Sequence, residues 1–229
     1  MQAAARISAL RIMEKTAMRN DLDIIYRDHS ILVINKPGDL LAVPGRGPDK
    51  QDCVVSRARS LFPEMIEQPA VHRLDQQTSG IMVLAMHLKA HRHLSSQFEN
   101  RRVTKGYIAI LEKTIEALAG TITLPFRLDP ENRPYQVYDP VHGKEAITNW
   151  CKIDDDPRGS RIGFTPLTGR THQLRVHSAH PGGLNGPIIG DRLYGSGKEG
   201  DAMLLHASFL SFNHPDSERI VEFYSPPPF

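Results

Sequence analysis

Cysteine is scarce in this sequence. Cys53 and Cys151 lie far apart with no Cys-x-x-Cys spacing, which excludes a disulfide framework and a structural zinc site. Two reduced, packed thiols are expected, and the cytoplasm as compartment. No apolar run approaches the ~20 residues of a membrane span. Gly-rich phosphate loops of either common type are missing, and Thr78-Ser79-Gly80 lacks the first glycine of a nucleophile elbow. ATP, NAD and an acyl-serine are therefore not indicated. No internal repeat or low-complexity segment is present. Charge bias is slight, with a formal net charge of +2, which permits a nucleic-acid partner without demanding one.

The composition is that of a soluble globular chain, with 40% hydrophobic and 24% charged residues among 229. Residues 1–20 are read as an N-terminal extension and 21–229 as the main domain. The extension carries Arg6, Arg11, Lys15 and Arg19 against Glu14, with Ile7, Leu10, Met13 and Ala17 near helical spacing. Organelle transit peptides share that character, so an organelle is the alternative compartment. A solvated helical extension is preferred, and Met18 offers a second start.

Residues 22–26 and 31–35 read as strands joined by the Asp28-His29-Ser30 turn. A loop over 36–50 follows, then a helix over 52–62 with Val54, Val55, Ala58, Leu61 and Phe62 on one face and Pro63 at its end. The apolar run after Gly80 reads as a buried strand and 88–99 as a helix. Residues 103–112 read as a strand with Lys105 and Tyr107 on one face. Further strands fit at 120–124, 134–138, 145–153, 160–166, 203–212 and 219–225. Strands mostly follow strands, so the expected class is α+β with a largely antiparallel sheet.

Polarity concentrates in three places: His72–Gly80, Lys105-Gly106-Tyr107, and Thr168–His177. The third has two histidines, but His172 and His177 fall on opposite faces of a strand and about 140° apart on a helix. His87 and His91 have metal-pair spacing without a carboxylate or thiol nearby, which favours a solvated face. Thr171 is a candidate cap for a helix ending before Pro181, with Arg170 just outside it. No metal or cofactor signature emerges. What is left is one aspartate, two or three arginines and a tyrosine.

His72-Arg73-Leu74-Asp75-Gln76-Gln77-Thr78-Ser79-Gly80 resembles the catalytic motif of the RluA family of pseudouridine synthases. Lys105-Gly106-Tyr107 and Thr168–His177 match the family in order. So do Asn35-Lys36-Pro37-Gly38, Gly190-Asp191-Arg192-Leu193-Tyr194 and Leu205-His206-Ala207. The likeness runs over roughly residues 22–229, with the short N-terminal segment too small for the S4 domain some members carry. It implies the pseudouridine synthase fold, with a mixed, mostly antiparallel central sheet flanked by helices and loops. It implies isomerisation of uridine in folded RNA without cofactor or metal, by a compact form closest to the branch acting on ribosomal RNA, tRNA anticodon stem-loops, or both.

Residue by residue, the resemblance makes Asp75 the essential carboxylate, acting either at C1′ or on the C2′ proton. It makes Arg170 the cation paired with Asp75, and Tyr107 the ring stacked on the target base, with a part in removing the C5 proton. Arg73 steadies an extruded nucleotide, and Leu174 walls the pocket. Lys36, Arg46, Arg101, Arg102 and Lys105, with Arg133, are expected to meet RNA phosphates. A monomer is expected, with no obligate protein partner. The competing readings are a non-catalytic RNA-binding or chaperone protein on the same fold, and a small glycosidase or nucleosidase.

Overall fold

The apolar runs at Ile31–Lys36 (β2) and Ser79–Ala85 (β3) are buried at nearly every position, as strands are when both faces are covered. The covers are two helices. Leu32, Ile34, Met82 and Leu84 pack in one cluster with Val54 and Ala58 of α1 (Val54–Leu61). Ile31, Val33, Ile81 and Val83 pack on the other side with Ala90 and Leu94 of α2 (Leu88–Glu99). The edge strand β1 (Asp23–Arg27) joins β2 through a turn in which Asp28 Oδ1 accepts from the Ser30 and Ile31 N–H groups, each at 2.8 Å. The computed structural model describes residues 22–229, so the reading of 1–20 falls outside the described residues.

The other half of the sheet is built differently. Strands β5 (Ala119–Leu128), β7 (Lys144–Asp156) and β8 (Gly159–Pro166) alternate buried with exposed positions. One face meets water, and the other packs beneath α3 (Gln173–Ala179). Strands β4 (Thr104–Ile110), β6 (Gln136–Tyr138), β9 (Leu205–Asn213) and β10 (Ile220–Tyr224) complete the set. Among the described residues the order is β1-β2-β3-β9-β4-β8-β7-β5-β6, with β10 also on β9. Every pairing between these strands is antiparallel except β3 with β9. The expected α+β class with a mostly antiparallel sheet holds.

The parallel contact positions the site. It involves only Ser79 with His206 and Gly80 with Ala207. Gly80 has φ +112°, and a Cβ there would lie 2.3 Å from the Ala207 carbonyl oxygen, so glycine alone lets β3 reach β9. Tyr107 on β4 packs against both the α1 cluster and the α3 cluster. A cleft opens where these halves meet.

Three local expectations change. Thr171 is not the cap of α3: the cap position is His172, in the left-handed region at φ 57° and with no side-chain capping bond. Gln173 closes the turn instead, accepting from Thr168 Oγ1 and Arg170 N while donating to Ile147 O and Thr148 Oγ1. Cys151 is exposed rather than packed, whereas Cys53 is buried and caps α1 through Sγ. Leu61 is exposed rather than on the inner face of α1. Among the described residues no helix is long and apolar enough to cross a membrane.

Candidate active site

The cleft has a volume of about 460 Å³, and Asp75 lies in its wall. The loop carrying Asp75 is tied down at both ends. At its start, His72 Nε2 accepts from the Val83 N–H at 3.1 Å, and the ring stacks on Phe98 with centroids 4.5 Å apart. Burial, with help from the Lys105 charge, takes the His72 pKa down to about 3, so the ring is neutral and can accept. Within the loop, Thr78 N–H donates to Asp75 O, and Gln77 Nε2 reaches Gly190 O.

Lys36 was expected to meet RNA, and the structure corrects this. Its side chain is fully buried, and Nζ donates to the carbonyls of Pro37, Leu40 and Gln76 at 2.9, 2.7 and 3.0 Å. Burial pulls the Lys36 pKa down to about 7 against the charges of Asp75 and Asp39. Three carbonyl acceptors match the three protons of the ammonium form. Lys36 thus staples the end of β2 to the residue after Asp75.

The arginine facing Asp75 is Arg175, not Arg170. Arg175 Nη1 stands 3.8 Å from Asp75 Oδ2, with the two side chains 3% and 20% exposed. Arg170 Nε instead donates to the Glu145 carbonyl at 3.2 Å, although Arg170 does line the cleft. The expected pairing fails because α3 starts only at Gln173. Arg170 precedes the helix and lies across β7, while Arg175 sits in the first turns, pointing under the Asp75 loop.

A buried guanidinium needs a firm partner, and Asp191 supplies it. Arg175 Nε and Nη2 donate to Asp191 Oδ2 and Oδ1 at 2.7 and 2.6 Å. Asp191 Oδ1 also accepts from the N–H groups of Leu193 and Tyr194. Burial pushes the Asp191 carboxyl up, but these bonds and the Arg175 charge outweigh it and hold the pKa below the ordinary value. Arg175 Nη2 reaches Gln77 Oε1 at 3.3 Å as well, so loop, helix and the 190–194 turn interlock. Neither Arg175 nor Asp191 was singled out from sequence. The available signal was an arginine between Leu174 and Val176 in an apolar helix, which must be paired if buried.

Tyr107, Lys105, Arg73, Arg101 and Leu174 all line the same cleft; Arg46 and Arg102 do not. Burial and the Asp75 charge push the Tyr107 phenol pKa up, so it is protonated at neutral pH. Its hydroxyl has no hydrogen-bond partner among the described residues. Lys105 Nζ reaches Thr168 O at 3.4 Å, and burial, then Arg101, lowers its pKa. Leu174 is 7% exposed and also belongs to the α3 core. The result is a cleft with one carboxylate at a buried guanidinium, an aromatic wall, and cations on its rim. That suits an anionic ligand whose reacting group must meet a carboxylate.

Known proteins agree with this reading. The profile of the family described as RNA pseudouridylate synthase matches residues 30–180. The dual-specificity RNA pseudouridine synthase RluA of Haemophilus ducreyi is 40% identical over 215 residues, covering 91% of this chain and 94% of that one. Its Escherichia coli counterpart is 38% identical over 213 residues, with the same coverage. The structure of human RNA Pseudouridylate Synthase Domain Containing 1 superposes with a TM-score of 0.75 at 32% identity, covering 92% of this chain and 85% of that one. The chain belongs to the RNA pseudouridylate synthase family. It is an isomerase acting on uridine in RNA.

Proposed function

We propose that this protein isomerises uridines in two kinds of folded RNA, large-subunit ribosomal RNA and tRNA anticodon stem-loops, with Asp75 as the essential carboxylate. The observation that carries the chemistry is a cleft carboxylate, Asp75, held 3.8 Å from the buried guanidinium of Arg175. The dual specificity printed in the names of the relatives supports the choice of RNA.

The target nucleotide leaves its stack and enters the cleft, at a cost of a few kcal/mol. Arg73, exposed beside Asp75, steadies the displaced nucleotide, and Lys105, Arg101 and Arg170 meet phosphates around it. Tyr107 stacks on the base. Asp75, facing Arg175 at 3.8 Å, either attacks C1′ or takes the C2′ proton. The N1–C1′ bond breaks, the base turns, and C5 bonds to C1′. C5 gives up its proton and N1 gains one, so composition is unchanged and no redox partner is needed. The protonated Tyr107 phenol is better suited to stacking and to relaying a proton than to acting as a free base.

Residues 21–229 form the catalytic domain of a monomer in this proposal, and the cytoplasm is its compartment, in keeping with two free thiols. The test is pseudouridine mapping of ribosomal and transfer RNA incubated with wild-type protein or Asp75→Asn. Wild type is expected to modify defined uridines in both RNAs. Asp75→Asn is expected to bind RNA and modify none; an unchanged yield would remove Asp75 from its role.

A further inference from the structure

We propose that His172 is a further catalytic residue: its Nε2–H donates a hydrogen bond to a carbonyl oxygen of the uracil as the base leaves C1′. This rests on the reading of Asp75 given above. His172 caps α3 in the left-handed region, at φ 57°, a conformation that non-glycine residues hold at some cost and that recurs at functional sites. Its ring is held from behind. The Gln136 N–H donates to Tyr194 Oη at 2.8 Å, and the same oxygen lies 2.9 Å from His172 Nδ1. Among the described residues the Tyr194 hydroxyl has no other acceptor, and we assign its proton to Nδ1. An imidazole that accepts at Nδ1 carries its proton on Nε2.

That nitrogen is free. Nε2 has no partner among the described residues and is not one of the buried unpartnered atoms, and His172 lines the cleft with Asp75. The groups whose charges act on it are Asp75, Arg175, Asp191 and Arg73. Burial lowers its pKa, opposed by Asp75, which keeps the ring neutral. A neutral donor does not form an ion pair with Asp75, and a neutral imidazole can still polarise a carbonyl.

The chemistry has a place for such a donor. Breaking N1–C1′ leaves the bonding electrons on the base, and the negative charge spreads from N1 onto O2 and O4. A fixed N–H aimed at one of those oxygens binds more tightly as charge develops, which favours the transition state over the ground state.

The test is a cycle between protein and substrate. Wild type, His172→Phe, His172→Gln and Tyr194→Phe are assayed on a stem-loop RNA carrying uridine, 2-thiouridine or 4-thiouridine at the target. His172→Phe should lower kcat roughly 10- to 100-fold with KM changed by less than about threefold. His172→Gln, which can place an amide N–H near the same point, should recover part of the rate. Tyr194→Phe, which releases the tautomer, should fall between. One of the two thio substitutions, each offering a weaker acceptor, should slow wild type but have little effect in His172→Phe. Equal thio effects in both proteins, or wild-type kcat in His172→Phe, would overturn the assignment. If His172→Phe melts below the assay temperature, the same cycle is read with Tyr194→Phe. Abolition of activity by Asp75→Asn is independent of all these outcomes, so failure here and failure of the Asp75 reading are distinguishable.

Discussion

Arg170 and Arg175 stand five residues apart in one polar segment, and only one of them serves Asp75. Arg170 precedes α3, is partly exposed, and hangs on a single carbonyl of Glu145. Arg175 lies inside the helix, 3% exposed, clasped by Asp191 and facing Asp75. Both cations line the cleft. The difference teaches that proximity to a cleft and control of its carboxylate are separate properties. Control requires a guanidinium that cannot turn away to water, and that rigidity comes from a second carboxylate.

The strongest way to sharpen the contrast is Arg175→Met. It leaves Asp191 buried without its cation, and breaking such a pair costs about 3–5 kcal/mol, to be read from denaturant unfolding. Isomerisation should fall below detection in the fraction that stays folded. A stable, active Arg175→Met would erase the distinction between the two arginines.

Acid should act on both arms of the site. His72 beneath the Asp75 loop has its pKa lowered to about 3, and His177 within α3 to about 4, both chiefly by burial. Unfolding returns each to about 6.5. Stability from keeping them neutral is therefore complete above that value. It is lost as pH falls from about 6.5 through 4 and toward 3, by several kcal/mol in total. Denaturation midpoints measured across this window, with the loss reduced in a His177→Phe variant, check the claim.

Double-mutant cycles against Asp75→Asn come next. Coupling with Arg175→Met should be at least about 1 kcal/mol, whereas coupling with Arg170→Ala should stay below about 0.3 kcal/mol. Equal couplings would return Arg170 to the role expected from sequence. The smallest effect is that of Arg170→Ala alone. Stability should change by no more than about 0.5 kcal/mol, while RNA binding weakens and the salt dependence of the affinity drops by roughly one phosphate contact.

Much of the fold was legible because periodicity is local. The two apolar runs of β2 and β3, the Asp28-His29-Ser30 turn, α2 at 88–99 and the succession of strands were all expected near where they occur. The Asp75 loop was legible too, since a dense polar motif running into a core strand is conspicuous in one dimension. Lys36, Thr171 and Arg170 were misplaced for a shared reason. Each role depends on which distant carbonyls or carboxylates fold onto it. Lys36 is an ordinary basic residue until Leu40 and Gln76 turn their carbonyls toward it. The helix α3 is buried on all sides over Gln173–Ser178, so it shows no amphipathic stripe to set its phase.

The amino-acid order alone determined the strand-rich α+β class, the absence of recognisable cofactor motifs, and the polar motif around Asp75, because each is written in short-range spacing; the part proposed for that acid came from the family resemblance. Tertiary structure decided which cation keeps company with that acid and which nitrogen of His172 is held by Tyr194. Those choices hinge on hydrogen bonds between segments remote in the chain, and a burial cost selects among partners only once the segments meet.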